Sequence, residues 1–165
     1  MAAPFVLDSN FFIQAHRMHY PMDVVPRFWL KIKELAEKEL IVSIDKVRDE
    51  LHLNKDDLTV WCDENLPKDF FKDTDPIIHE YVVVSNWVNS KSNHYNLAAL
   101  NEFLDSNEAV AWLVAYSLAN GSEIVTHETR EPNRKSKVKI PDVCLPFGIN
   151  CVNTIEMFRS LAEQF

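Results

Sequence analysis

The sequence predicts an α/β fold in which a parallel sheet is sandwiched between helices. Three observations predict it. Strand-like and helix-like segments alternate along the chain, no repeat or low-complexity linker interrupts them, and an almost wholly apolar helix leads through a tight turn into a strand. With 165 residues, 47% of them hydrophobic, the chain is expected to form one domain, residues 1–165, with a substantial core.

The first half of the chain starts with an apolar run, Phe5-Val6-Leu7, which predicts a buried strand ended by Asp8-Ser9-Asn10. Downstream, apolar residues at helical spacing alternate with one short β-branched run. The elements expected there are a helix over Phe11–Ala15, a helix over residues 27–39, a strand over Ile41–Ile44, a helix from Asp45 through Leu51, a helix over residues 55–65 and a helix from Pro76 through Trp87.

The second half centres on residues 109–119, which are almost wholly apolar and predict a buried helix. Asn120-Gly121 ends this helix, and residues 123–126 follow as a strand. A further strand is expected at residues 150–152, before a last helix that starts at Asn153 or Thr154 and runs to Ala162.

Composition limits where the protein works and what it binds. The sequence has no apolar stretch of roughly 18 uncharged residues and no basic-then-apolar N-terminus, so neither membrane insertion nor secretion is expected. Three scattered cysteines fit a reduced compartment better than a disulfide framework, and we expect a cytoplasmic protein. Only two glycines are present, which excludes a glycine-rich phosphate loop. Any phosphate group that this protein binds must therefore be held by a metal ion or by side chains.

The net charge of −8 argues against a general nucleic-acid binder, because neutralisation of phosphates supplies most non-specific affinity. One local exception is a cluster of five cations within ten residues, opposed by the single acid Glu131. The simple interpretation is a solvated loop with basic residues, and the functional interpretation is a strip that contacts phosphates beside an acidic, metal-binding pocket. The five residues are Arg130, Arg134, Lys135, Lys137 and Lys139.

Three acids form the candidate active site. Asp8 stands at the carboxyl end of the first predicted strand, where open α/β sheets collect their ligands, and helices or strands could bring Glu50 and Glu128 to the same crevice. Mg²⁺ prefers oxygen ligands and usually takes one or two protein carboxylates, so Asp8 with Glu50 or Glu128 would suffice. A bound metal activates water and stabilises charge on a phosphodiester.

Each acid also has an alternative interpretation. Asp8 is placed like a helix cap, Glu50 like a surface acid on its helix, and Glu128 like a turn residue. Asp142 follows Ile140-Pro141 and either caps a helix or approaches the pocket.

Several motifs, weak singly but specific in their order and spacing, resemble those of PIN-domain nucleases, in a branch still labelled a domain of unknown function. The resemblance covers nearly the whole chain. Its motifs are residues 5–10, Tyr20-Pro21 with Phe28-Trp29, Ser43-Ile44 with residues 47–50, residues 125–128, residues 139–144 and residues 152–157.

The resemblance implies a three-layer α/β/α sandwich with an acidic pocket that binds Mg²⁺ or Mn²⁺ and cuts RNA, either single-stranded or structured. Asp8, Glu50 and Glu128 match three family acids, which act as metal ligands and catalytic residues, whereas Asn10 and Thr126 match polar positions that line the pocket. Many relatives, the VapC-like proteins, are toxins paired with an antitoxin, and relatives often form homodimers.

One family position does not match. The family generally places an Asp near the start of the apolar helix, where Val110 stands in this chain. Glu108 lies two positions earlier, roughly 200° around an ideal helix, so it is not expected to replace that Asp unless the helix is shifted. The substitution leaves three interpretations open: a naturally degenerate copy, an enzyme that uses another acid, or a cloned variant selected because the active form is toxic.

Three functions therefore compete. The first is a metal-dependent endoribonuclease, the toxin of a toxin–antitoxin pair, impaired by Val110. The second is a catalytically inactive PIN-like module that binds RNA or protein. The third, a haloacid-dehalogenase-like phosphatase built on Asp8, ranks well below the others, because that class needs a second Asp two residues later and this chain has Asn10.

Overall fold

A computed structural model describes residues 2–165. The fold is a three-layer α/β/α sandwich around one five-stranded parallel sheet, as the sequence predicts. The strands are β1 (Phe5–Leu7), β2 (Ile41–Ile44), β3 (Phe71–Lys72), β4 (Ile124–Val125) and β5 (Cys151–Val152), and their order across the sheet is β3-β2-β1-β4-β5.

Nine α-helices connect and cover these strands within the described residues. They are α1 (Ser9–Gln14), α2 (Pro26–Glu37), α3 (Asp45–His52), α4 (Asp57–Asn65), α5 (Ile78–Asn89), α6 (Leu97–Leu104), α7 (Ala109–Asn120), α8 (Ile140–Cys144) and α9 (Thr154–Ser160). A π-helical segment, Ala15–His19, extends α1, and short 3-10 turns lie at Asp75–Ile77 and Leu145–Phe147. No helix within residues 2–165 is long and apolar enough to cross a membrane.

The strand order reverses between β1 and β4. From β1 the chain moves outward to β2 and β3, then crosses back to the other side of β1 for β4 and β5. Right-handed crossovers therefore place the helices of the two halves on opposite faces of the sheet. On one face α2 touches α4 through Trp29 and Trp61, whose ring centroids lie 4.9 Å apart, while on the other α7 packs against α5.

The core lies between the sheet and these helices. All residues of β1 and β2 are buried, as are Phe28 and Ile32 of α2 and most of α7. Ser43 is the polar exception in the buried sheet, and its hydroxyl donates a 2.6 Å hydrogen bond to the Leu7 carbonyl. This bond ties β2 to the end of β1, immediately before Asp8.

The expected elements are present with small shifts at their ends. The strand Ile41–Ile44 and the helix beginning at Asp45 are confirmed. The first helix begins at Ser9 instead of Phe11, because Asp8 takes the N-cap position. Three of the strands and α-helices have no counterpart in the sequence prediction, namely β3, α6 and α8.

Backbone conformation marks the helix ends. Gly121 follows α7 with φ of +69°, a left-handed conformation that glycine adopts at little steric cost, as the Asn120-Gly121 pair predicts. Three residues other than glycine, Glu39, Lys55 and Ala162, adopt φ of 58°, 46° and 55° after α2, α3 and α9.

Candidate active site

Asp8 lies at the point where the strand order reverses, between the carboxyl ends of β1 and β4. It is 3% exposed, and its Oδ2 accepts a 3.0 Å hydrogen bond from the hydroxyl of Thr126, the residue after β4. In open α/β sheets ligands bind in the crevice at such a reversal. The strand order and the Asp8–Thr126 contact therefore point to the same crevice as the candidate ligand site.

The surroundings of Asp8 oppose its ionisation. Burial, assisted by the negative charges of Glu128 and Glu50, raises the pKa of Asp8 from 3.8 to about 6, against the opposing effect of hydrogen bonds from Thr126 and the Asn10 backbone. A carboxyl group in these conditions is half protonated at mildly acidic pH. A cation beside it would restore its charge.

Glu50 approaches the same crevice from α3. Its Oε1 accepts a 3.0 Å hydrogen bond from the backbone amide of Ala109, the first residue of α7. The first amides of a helix lack partners within the helix and carry partial positive charge, so this contact stabilises the carboxylate. Glu50 is half-buried on α3 and is thereby held against the start of the apolar helix.

Glu128 is held in a similar way by α8. Its Oε2 accepts a 3.0 Å hydrogen bond from the Ile140 amide, and its own amide donates to the Thr126 hydroxyl at 3.2 Å. Its Oε1 lies 3.8 Å from both Lys137 Nζ and Lys139 Nζ. Glu128 therefore joins the end of β4, the start of α8 and the cationic segment between them.

The three predicted acids line one cavity of about 190 Å³, which we call the acidic cavity. Asn10 and Val110, two of the other residues predicted for the pocket, also line it. Lys137 contributes a cation. The complete set of acidic side chains in its wall is Asp8, Glu50, Glu102, Glu108 and Glu128.

Glu108 corrects an expectation drawn from ideal helix geometry. The residue precedes α7 as its N-cap in extended conformation, with φ of −85° and ψ of 146°, so the angular offset of an ideal helix does not apply to it. Glu108 lines the acidic cavity, and burial followed by the charges of Glu50, Asp105 and Glu102 raises the pKa of its carboxyl group. Glu108 thus shares a cavity wall with Val110 without any shift of the helix.

Glu102 is the acid that sequence reasoning missed. It lies on α6, a helix with no counterpart in the prediction, and it lines the acidic cavity beside Ala99 and Phe103 of that helix. The spacing of apolar residues gives a weak signal for α6 in the sequence, because Ala99, Leu100 and Phe103 form the buried side of a short amphipathic helix.

Two residues predicted to line the pocket lie outside the wall of the acidic cavity. Thr126 is 3% exposed and acts through its hydrogen bond to Asp8. Asp142 is the third residue of α8, not its cap, and it accepts hydrogen bonds from Arg130 Nε at 3.1 Å and the Glu131 amide at 3.0 Å. Both carboxylate oxygens of Asp142 are therefore engaged by residues 130–131.

The predicted cationic strip lies in the loop of residues 129–139, which we call the basic loop. Acids neutralise part of its charge. Arg134 pairs with Glu131 at 3.1 Å and Lys139 with Glu131 at 3.2 Å, while Arg130 pairs with Asp142. Lys135 is exposed, and no ion pair of Lys135 occurs within residues 2–165. Lys137 is the one cation of the strip that lines the acidic cavity.

The donor set of the acidic cavity suits a hard divalent cation, because every candidate ligand is a carboxylate or amide oxygen. Within residues 2–165, however, no three His, Cys, Asp or Glu side chains form a ready-made metal cluster. Each of the three predicted acids instead has its own hydrogen-bond donor, which is the Thr126 hydroxyl for Asp8, the Ala109 amide for Glu50 and the Ile140 amide for Glu128.

Comparisons with known proteins identify the family of the chain but no activity. Searches of curated proteins and of solved structures gave no match. One family model, described as a domain of unknown function, DUF4411, matches residues 5–165, which is nearly the whole chain and includes every residue of the acidic cavity. The chain therefore belongs to the DUF4411 family.

Proposed function

We propose that this protein is a PIN-type, metal-dependent endoribonuclease that cleaves RNA phosphodiester bonds at the acidic cavity. The observation that carries the proposal is the Asp8–Thr126 contact at the strand-order reversal, with Glu50 and Glu128 on the same cavity wall. The resemblance of the motifs around these residues to PIN nucleases adds to it. The crowded carboxylates need a counter-charge, and the all-oxygen donor set selects a hard cation.

In this proposal Asp8, Glu50 and Glu128 hold Mg²⁺ or Mn²⁺ directly or through water. A bound metal of this kind supplies an activated water and stabilises the charge that develops on the phosphate. Thr126 orients Asp8 by donating to Oδ2, which leaves Oδ1 directed at the weaker, 3.4 Å contact with the Ser9 hydroxyl. Lys137, on the cavity wall, is placed to bind a phosphate oxygen of the RNA.

Glu108 has a specific part in the proposal. Val110 leaves an apolar patch in the cavity wall where PIN relatives carry an Asp, and Glu108 presents a carboxyl group to the same cavity. We propose that Glu108 partly replaces that Asp, so that the chain is an enzyme that uses another acid with reduced activity.

The second candidate function is a catalytically inactive PIN-like module that binds RNA or protein. The Val110 side chain in the cavity wall favours it, because an apolar wall gives no ligand to a metal.

A cleavage assay separates the two functions. The native chain should cut an unstructured RNA in a manner that depends on Mn²⁺ or Mg²⁺, and EDTA should stop it. Glu50→Gln should lower the rate at least about tenfold by removing a metal ligand. Asp49→Asn is the matched control, because Asp49 is the exposed neighbour of Glu50 and lies outside the cavity wall, so its rate should be unchanged.

The absence of metal-dependent cleavage over a full Mn²⁺ titration would favour the inactive module. Equal rates for Glu50→Gln and Asp49→Asn would instead place the chemistry away from the acidic cavity.

We further propose that the protein works in the cytoplasm as the toxin of a toxin–antitoxin pair, with a cognate antitoxin as partner, and that it forms a homodimer. Support comes from the resemblance to VapC-like proteins and from the reduced-compartment pattern of its cysteines. Growth arrest on expression that is relieved by the product of an adjacent reading frame would support the pairing. Sedimentation analysis of the purified chain tests the homodimer.

A further inference from the structure

A second cavity, of about 360 Å³, is lined in part by the basic loop and shares no lining residue with the acidic cavity. We call it the Trp87 groove. It runs between the end of α5, the segment after it and the start of α8, and its principal lining residues are Trp87, Lys91, His94, Tyr95, Arg130 and Pro146.

The groove combines aromatic rings with cations. Lys91 Nζ lies 5.3 Å from the centroid of the Trp87 ring, and Phe147 packs edge-on against that ring at 6.2 Å. The rings of His94 and Tyr95 meet at 4.7 Å, and Tyr95 is buried. Neighbouring packing therefore holds the Trp87 and Tyr95 rings in place, whereas Lys91 is exposed at the groove. Aromatic faces with nearby cations are the usual composition of sites for unpaired nucleotides.

Arg130 is positioned by a buried carboxylate. Its Nε donates to Asp142 Oδ1 at 3.1 Å, and Asp142 is 7% exposed while the Arg130 side chain remains half exposed. The Arg130 side chain makes no other hydrogen bond within residues 2–165. Its terminal nitrogens thus project from a fixed base, which suits the bidentate binding of a phosphate.

The basic loop connects the Trp87 groove to the acidic cavity. Arg130 at one end of the loop lines the groove, and Lys137 near the other end lines the cavity. The segment after α5 holds this loop through two contacts, His94 Nε2 with the Arg134 carbonyl at 3.1 Å and the Asn96 amide with the Lys135 carbonyl at 2.9 Å. The basic loop therefore contributes one cation to each site, Lys137 to the acidic cavity and Arg130 to the groove, and a polyanionic strand that spans both sites would meet both cations.

We propose that the Trp87 groove binds an unpaired nucleotide of the RNA, next to the nucleotide whose phosphate occupies the acidic cavity. The base stacks on Trp87, and its phosphate contacts Lys91 and Arg130. This inference rests on the proposed function for its substrate, and it commits to single-stranded RNA because bases within a duplex are already stacked and cannot enter such a groove. On a chain of net charge −8, the local cations make an anionic ligand the complementary one.

Binding of a short, unstructured, fluorescent RNA in EDTA tests the proposal without any cleavage. Trp87→Ala should raise the dissociation constant roughly tenfold, and Trp87→Phe should recover most of the affinity, since phenylalanine also stacks. Val82→Ala is the control on the same helix, because Val82 is exposed and lies outside the groove. Lys91→Glu should weaken binding, whereas Lys68→Glu, at an exposed site before β3, should not.

The position of the RNA is measured independently by photocrosslinking the native chain to RNA that contains 4-thiouridine. Crosslinks should fall on the peptide with Trp87 or Tyr95. Unchanged affinity in folded Trp87→Ala, crosslinks confined to other regions, or an equal loss for duplex RNA would overturn the proposal. If Trp87→Ala does not fold, the Lys91→Glu and crosslinking results decide.

The proposed function and the groove can fail separately. If the native chain binds RNA with the expected variant pattern but never cleaves it, the nuclease proposal fails and the groove remains. If the native chain cleaves RNA while Trp87→Ala binds and cleaves equally well, the groove proposal fails and the nuclease remains.

Discussion

The acidic cavity has two walls that are built in different ways. The sheet wall contains Asp8, whose neighbours are set by the parallel pairing of β1 with β4 and by Thr126. The helical wall contains Glu102, Glu108 and Val110, which stand at the end of α6 and the start of α7. Strand pairing fixes the first wall rigidly, whereas the second depends on the conformation of a four-residue connection between two helices. We therefore expect the proposed RNA cleavage to require the sheet wall, and substitutions in the helical wall to change its rate.

The largest expected change comes from the helical wall. Val110→Asp adds a carboxylate where PIN nucleases, which the motifs of this chain resemble, carry one. Under the proposed function it should raise Mn²⁺-dependent RNA cleavage by roughly 10- to 100-fold, since lost ligands or their supports commonly cost that much. Expression of this variant should also become toxic. Rates are compared with those of the native chain over a Mn²⁺ titration.

The matching control adds Asp8→Ala to Val110→Asp. This double variant should lose the gain, because the metal then lacks its ligand on the sheet wall. Equal cleavage by the native chain and Val110→Asp would show that position 110 is not the missing ligand.

The second effect concerns stability and tests the sheet wall. Because the pKa of Asp8 in the folded protein, about 6, exceeds its value of 3.8 in the unfolded chain, the protonated form favours folding. The contribution of Asp8 to the free energy of unfolding is present at low pH and is lost as pH rises through 6. In EDTA, the free energy of unfolding of Asp8→Asn, measured relative to that of the native chain, should therefore be higher at pH 7 than at pH 4 by on the order of 2 kcal/mol.

Urea unfolding of both proteins at pH 4 and pH 7 measures this change. A stability difference between native and Asp8→Asn chains that stays constant over that range would contradict the raised pKa of Asp8.

The smallest effect compares two acids of the helical wall. Glu108→Gln should lower cleavage by up to about tenfold if Glu108 partly replaces the absent Asp. Glu102→Gln, on α6, removes a charge from the same cavity without a proposed ligand role and should change the rate less. Metal-dependent rates of the two variants are measured side by side, and identical losses would argue for a general effect of cavity charge instead of a ligand role for Glu108.

The sequence was sufficient to predict four of the five strands and the position of Asp8 in the sheet wall. Apolar runs predict β1, β2 and β4 because these strands are buried, and parallel strands necessarily bring their carboxyl ends to one edge. The strand β3 was missed because it has only two residues, both half-buried, so neither an apolar run nor an alternation marks it. The position of Asp8 at the carboxyl end of β1, beside β4, thus follows from rules of topology.

The helical wall could not be predicted in the same way. Ideal helical geometry excludes Glu108 only if that residue is helical, and the structure has it in extended conformation just before α7. The capping of α7 by Glu50, 59 residues away in sequence, likewise depends on tertiary packing. The placement of Asp142 was uncertain for a similar reason, because its partners Arg130 and Glu131 belong to a loop without periodicity.

The left-handed residues that follow three of the helices have a consequence for engineering. At Glu39, Lys55 and Ala162 the side chain crowds the backbone, at a cost of roughly 1 kcal/mol for each non-glycine residue in this conformation. Glycine would remove that strain, while its greater freedom in the unfolded chain would offset part of the gain. All three positions lie outside the wall of the acidic cavity, so they offer a route to a more thermostable variant that leaves the chemistry untouched.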